Sequence, residues 1–168
     1  MSIQNLDSTD ALFIIDLLNE PSFIENIGDK GVRTTEEALG YIQTAGTENY
    51  AKHGFGMFRV SVKDTERATE RAIGICGLLQ RDFLAYPDLG FAFLERYHNQ
   101  GFGTEAADAI TGWATRTLQI RRLAAFTSLT NVASIRVLEK VGFISQGEQD
   151  LPGKFGRCHV LEWQQKTI

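Results

Sequence analysis

The apolar residues of this chain change their spacing near residue 55, and that change restricts the fold more than any other feature. Upstream the spacing is helical. Ser8-Thr9-Asp10 reads as a helix start, Leu12, Ile14, Ile15, Leu17 and Leu18 form a broad apolar face, and Pro21 lies beyond an early end. Thr34-Thr35-Glu36-Glu37 opens a second helix through Ala38, Tyr41, Ile42 and Ala45 toward Tyr50, and Gly54 ends it. Residues 55–62 and 72–79 are then β-rich runs separated by the polar stretch 63–71, which predicts a hairpin. Pro87 introduces a third run, 89–94, with Phe91 and Phe93 at alternate positions.

Helical spacing returns after Asn99-Gln100-Gly101-Phe102-Gly103-Thr104, with Ala106, Ala107, Ile110, Trp113, Ala114 and Leu118. Residues 122–127 form a short strand. Thr130 or Asn131 caps a further helix bearing Ile135, Leu138 and Val141, with Gly142 as its left-handed exit. Two strands near 143–149 and 157–163 follow. The order predicts an α+β fold with a mixed sheet, as one domain over residues 1–168, long enough to bury a real core. No repeat, low-complexity tract or linker interrupts it.

Composition removes several function classes. A net charge of -4 gives no broad basic face, so neither nucleic acid nor an anionic membrane is an expected partner. Cys76 and Cys158 lie in apolar, strand-like runs and read as small buried hydrophobes, while His53, His98 and His159 are scattered, so no metal site is expected. Met1 to Asp10 lacks a signal-peptide pattern, and no apolar run approaches the roughly 18 residues of a membrane span. The expectation is a cytoplasmic protein, monomeric or homodimeric.

Gly101-Phe102-Gly103-Thr104-Glu105, between a strand and a helix, has the makings of an anion site. A helix start leaves N–H groups unpaired and carries partial positive charge, and glycine lets backbone approach a phosphate closely. A tight turn needs glycines for steric reasons as well. Gly101-x-Gly103-x-x-Ala106 also fits the dinucleotide fingerprint, which expects an acidic residue ending the next strand. That strand, Arg122 to Ser128, offers none, and antiparallel strands before the loop contradict a βαβ unit.

Two segments resemble the GCN5-related N-acetyltransferase (GNAT) superfamily, in the branch of the ribosomal-protein alanine/serine N-acetyltransferases. One runs from Phe91 to Ala106 and is similar to the family's strand, pyrophosphate loop and helix; the other, Asn131 to Phe143, is similar to the branch's Asn-x-x-Ser helix ending in Lys-x-Gly-Phe. The resemblance implies the GNAT fold: a central, mixed, mostly antiparallel twisted sheet flanked by helices and splayed at the third run to admit acetyl-CoA. It implies that the pantetheine arm pairs with backbone at Phe93, Leu94 and Glu95, and that the pyrophosphate sits on the amides of Gln100, Gly101, Phe102, Gly103 and Thr104. Asn131 then holds the pantetheine arm and Ser134 approaches the sulfur. In this superfamily the first two helices and the last hairpin build the acceptor pocket.

The sequence departs from the pattern in three places. His98 stands where many members have Arg or Gln. Ser134 stands where many distant relatives place a Tyr as general acid. Only Ser2 to Leu6 remain of a strand before the first helix, so a stunted strand or a displaced start is expected.

The implied reaction moves acetyl from acetyl-CoA to a primary amine, whose proton a base must take. Asp88 at the start of the third run is the first candidate and Glu95 at its end the second; both read equally well as solvated strand-end carboxylates. A backbone N–H near Phe93 is the natural oxyanion donor, typically worth about 3 kcal/mol. Ser134 either serves the sulfur or satisfies local backbone, and Asn131 either holds the cofactor or only caps its helix. Phe102, Trp113 and Trp163 read as packing, Arg136 and Lys140 as solvated charges, and Glu105 as a helix-dipole partner. The acceptor stays open among a protein N-terminus such as a ribosomal protein's, a polyamine, an amino sugar and an antibiotic. The competing readings are a non-catalytic acyl-CoA-binding regulatory module and a nucleotide-binding protein of another fold.

Overall fold

The computed structural model describes residues 1–64 and 69–165; the centre of the polar stretch expected to join the first hairpin, 65–68, lies outside the described residues. Strand β1 (Ser2–Asn5) is as short as expected and pairs antiparallel with β2 (Met57–Asp64). Asp7 caps a single 3-10 turn, Ser8–Asp10, in a reciprocal capping box. The Asp10 carboxylate accepts from the Asp7 N–H at 3.0 Å and from Arg59 Nη1 at 2.7 Å, tying the start of helix α1 (Ala11–Leu18) to β2.

Pro21 does more than follow that helix. It opens a further one, α2 (Pro21–Ile27), which the residue pattern does not announce. Proline is favoured in a first helical turn because the missing N–H has no intrahelical partner there, and α2 buries only Phe23, too little for a legible period. Thr34 caps α3 (Thr35–Ile42) in a second capping box. The single helix expected from there to Tyr50 is instead broken by a wide π-turn, Gln43–Thr47, before α4 (Glu48–His53), which exits at Gly54 with φ +76°.

The remaining strands are β3 (Thr69–Leu79), β4 (Asp88–Phe93), β5 (Arg122–Ser128), β6 (Ile144–Leu151) and β7 (Gly156–Gln164). They form a seven-stranded sheet in the order β1-β2-β3-β4-β5-β7-β6, antiparallel except between β4 and β5. Helices α1 to α3 cover one face over Leu6, Ile14, Leu18, Met57 and Ile75. Helices α5 (Phe102–Thr117) and α6 (Val132–Lys140) cover the other over Cys76, Leu78, Phe93, Ala107, Leu123 and Leu161. The architecture is the α+β mixed sheet expected. Both cysteines are buried as expected, at 0% and 5% exposure.

Two details of β3 and β4 shape the site. At Gly74 an added Cβ would lie 2.4 Å from the Phe93 ring, so only glycine lets that ring lie flat against β3. More important, β4 and β5 pair only at Asp88 and Ala124, with the Ala124 N–H on the Pro87 carbonyl at 2.9 Å; beyond that bridge the sheet splits. Leu94 N–H bonds the Ile73 carbonyl at 2.9 Å, which fixes the ladder's phase: the backbone groups of Gly90, Ala92 and Leu94 face β3, and those of Leu89, Phe91 and Phe93 face β5 or the split.

Candidate active site

Helix α5 begins at the wide end of the split. Asn99 at φ +58° and Gly101 at φ +87° turn the chain out of a short 3-10 turn, Glu95–Tyr97, into its first residues, Phe102, Gly103 and Thr104. The N–H groups of those residues precede the first intrahelical bond, Glu105 N–H to the Gly101 carbonyl at 3.0 Å. They line a cavity of about 520 Å³ whose other walls are β4 at Phe91 to Phe93, α2, and the α6 face of Ala133, Arg136, Val137 and Lys140. A Cβ on Gly103 would meet Val137 and Phe93 at 3.7 and 3.8 Å, ordinary contacts, so protein packing alone does not require glycine there. His98 Nε2 lies 2.8 Å from the Phe93 carbonyl, which can only accept, so Nε2 carries the hydrogen.

A second cavity, about 330 Å³, opens on the far side of the split and shares Asn26, Ile27, Phe91, Asn131 and Ser134 with the first. Its walls come from the loop after α2 at Lys30, from Asp88 to Phe91, from β5, and from the β6–β7 hairpin at Lys154 to Cys158. Asp88, 3% exposed, accepts from Arg81 Nε at 2.9 Å. The Arg81 guanidinium lies over the rings of Phe83, Phe126 and Phe155, at 6.0, 5.2 and 5.2 Å. Burial pushes the Asp88 carboxyl up to about 6, with the charge and hydrogen bond of Arg81 working against that rise.

The sequence profile of the acetyltransferase (GNAT) domain family matches residues 2–144. The chain belongs to the GNAT family. Its domain is thus of the GNAT acetyltransferase type, and its open sheet shares the fold of the solved acetyltransferase from Agrobacterium tumefaciens, with a TM-score of 0.79 at 22% identity over 97% of this chain and 90% of that one. It is 34% identical over 103 residues to the probable N-acetyltransferase YjcK of Bacillus subtilis; the match takes 60% of this chain and spans about half of that relative, 52% of its length. The solved structure of RimL, a ribosomal L7/L12 α-N-protein acetyltransferase in complex with coenzyme A, superposes with a TM-score of 0.81 at 16% identity, covering 96% of this chain and 92% of that one. A spermidine N-acetyltransferase from Vibrio cholerae, solved with CoA and spermine, gives 0.75 at 14% identity, covering 98% and 95%. At these identities the likeness is one of fold.

Of the residues singled out in the GNAT chain's sequence, Phe93, Gly101, Phe102, Gly103 and Thr104 line the larger cavity, Asp88 lines the smaller, and Asn131 and Ser134 line both. Asn131 caps α6, its Oδ1 accepting the Ser134 N–H at 3.1 Å. The Ser134 hydroxyl makes no hydrogen bond among the described residues, so local backbone does not occupy it.

Three expected residues stand elsewhere. Gln100 is off the lining, and its side-chain amide donates to the Arg96 carbonyl at 2.8 Å. Leu94 is 2% exposed in the core beneath α1 to α3, with its N–H committed to β3. Glu95 lines neither cavity. Its Oε1 accepts the Ser22 N–H at 2.9 Å in the first turn of α2, and its own N–H donates to Glu20 Oε2 at 2.6 Å. Helix α2, which the residue pattern does not announce, is what claims this carboxylate.

Arg136 and Lys140, read as solvated, line the larger cavity. Their spacing with Ala133 and Val137, i, i+3, i+4 and i+7, marks one helical face and was the available signal. Arg81, Lys30 and Lys154 carried no such signal, since only the folded chain brings their loops together.

Proposed function

We propose that this chain, acting in the cytoplasm with residues 1–168 as one acetyltransferase domain, transfers the acetyl group of acetyl-CoA to a primary amine. One observation carries the reading: two cavities meet at Phe91, Asn131 and Ser134, across the split between β4 and β5. The larger suits acetyl-CoA. A helix start with free N–H groups, a glycine that packing does not demand, the cationic Arg136 and Lys140 and a strand edge that turns the Phe91 and Phe93 N–H groups into the split match a pyrophosphate joined to an amide-bearing arm. When bound there, acetyl-CoA supplies the activated acyl group.

The chain's residues supply the rest. Phe102, Gly103 and Thr104 hold the diphosphate with their N–H groups, and the N–H of Phe91 or Phe93, turned into the split, stabilises charge on the acyl oxygen. Asp88, ionised above a pH of about 6, takes the proton of the incoming amine, directly or through one water. Ser134, with its hydroxyl uncommitted, donates a hydrogen bond to the leaving sulfur. The acceptor we favour is the N-terminal amine of a protein, such as a ribosomal protein, which brings a narrow, extended end to the smaller cavity; the fold likeness to RimL supports this choice.

Thiol release from acetyl-CoA, measured against N-terminal peptides, polyamines, amino sugars and aminoglycosides, tests the proposal. Turnover with one amine class is expected. Coenzyme A binding without thiol release for any amine would point instead to a non-catalytic acyl-CoA-binding module.

A further inference from the structure

We propose that the smaller cavity selects a primary amine that also bears a carboxylate, and disfavours polycationic amines; this rests on the acceptor role given to that cavity above. Its charged lining is Lys30, Arg81, Lys154 and Arg157 against Glu25 and Asp88. Asp88 is committed to Arg81 at 2.9 Å. Arg157 is committed to Glu148 and Asp150, at 2.9 and 3.3 Å. Neither Lys30 nor Lys154 forms an ion pair or hydrogen bond among the described residues.

The two lysines arrive from separate elements, Lys30 from the loop after α2 and Lys154 from the turn of the β6–β7 hairpin. Burial, followed by the charges of Lys154 and Arg81, holds the Lys30 ammonium below the usual lysine range, so the cations feel one another. Asp29, whose carboxylate feels Lys154, is already held by Arg33 at 2.8 Å and by the Gly31 N–H at 2.8 Å. Among the described residues that line the cavity, two lysines thus face a single uncommitted carboxylate, Glu25. A carboxylate on the acceptor meets two charge-assisted donors there, whereas a second ammonium adds to the repulsion. The amine of such a molecule is then directed inward, toward Asp88 and Ser134.

The test compares paired amines in the thiol-release assay: serine with serine amide, the amidated peptide Ser-Asp-Asp-Phe with Ser-Asn-Asn-Phe, and spermidine alone. The expected result is a kcat/KM at least about tenfold higher for the carboxylate member of at least one pair, the scale of one charge-assisted bond. Which pair responds tells a free amino acid from an acidic peptide. In the Lys30→Gln, Lys154→Gln double variant the ratio falls to about one through KM, while acetyl-CoA affinity and the circular dichroism spectrum stay as in the parent. Equal rates within both pairs, efficient spermidine turnover, or a preference that survives the double variant overturns the inference. If no amine is turned over, calorimetry with the N-acetylated peptides decides. Tighter binding of the acidic one, lost in the double variant, upholds the charge preference while the transferase reading fails; equal binding sinks both.

Discussion

The two cavities that meet at Ser134 are built by opposite means. The diphosphate end of the larger is backbone, a helix start and its glycines beside an open strand edge, contributed by β4 and α5, which follow one another in sequence, while side chains of α2 and α6 close the rest. The smaller is mostly side chains, assembled from the α2 loop, the segment before β4, and a hairpin more than a hundred residues away. Backbone sites serve a ligand common to a whole family. Side-chain sites can be rebuilt for each acceptor, because changing Lys30 or Lys154 leaves the sheet and its split intact.

The sharpest attempt to break this division is Asp88→Asn. Turnover is expected to fall about a hundredfold, with acetyl-CoA affinity unchanged, because the substitution touches only the acceptor side. The pH dependence adds a check of sign. A base works in its ionised form, so kcat rises with pH through about 6 and levels above it in the parent, and that limb disappears in the variant. A loss of cofactor affinity instead would merge the two regions.

Gly103→Ala attacks the other side. The protein has room for a Cβ there, so the fold is retained while acetyl-CoA binding weakens at least about tenfold, the scale of a lost charge-assisted hydrogen bond. Normal affinity by calorimetry would show that the diphosphate sits elsewhere. Smaller effects refine the boundary. Arg81 draws the Asp88 carboxyl down, so Arg81→Gln moves the pH limb above 6 and slows turnover several-fold near neutrality. Ser134→Ala, at the junction, lowers kcat by roughly the value of one hydrogen bond, up to about tenfold, with acetyl-CoA affinity little changed; an unaltered kcat would leave that hydroxyl without a role.

The same division explains what the sequence made legible. The sheet, the helix after Gly101 and the capped α6 follow from periodicity and from two local motifs, since each is a short-range pattern. The split at β4 was visible only through the resemblance to GNAT proteins. Helix α2 stayed hidden because one buried residue makes no period, and with it went the true partner of Glu95. The Arg81 cage needs rings at 83, 126 and 155, and the convergence of Lys30 with Lys154 spans most of the chain. No local pattern encodes either.

The most direct test of this account is an amide-resolved NMR titration with coenzyme A. Shifts are expected at Phe91, Phe93, Gly101 to Thr104 and Asn131, with Lys30 and the turn around Lys154 unmoved. Shifts confined to the Lys154 turn and the α2 loop, with Gly101 to Thr104 silent, would contradict it.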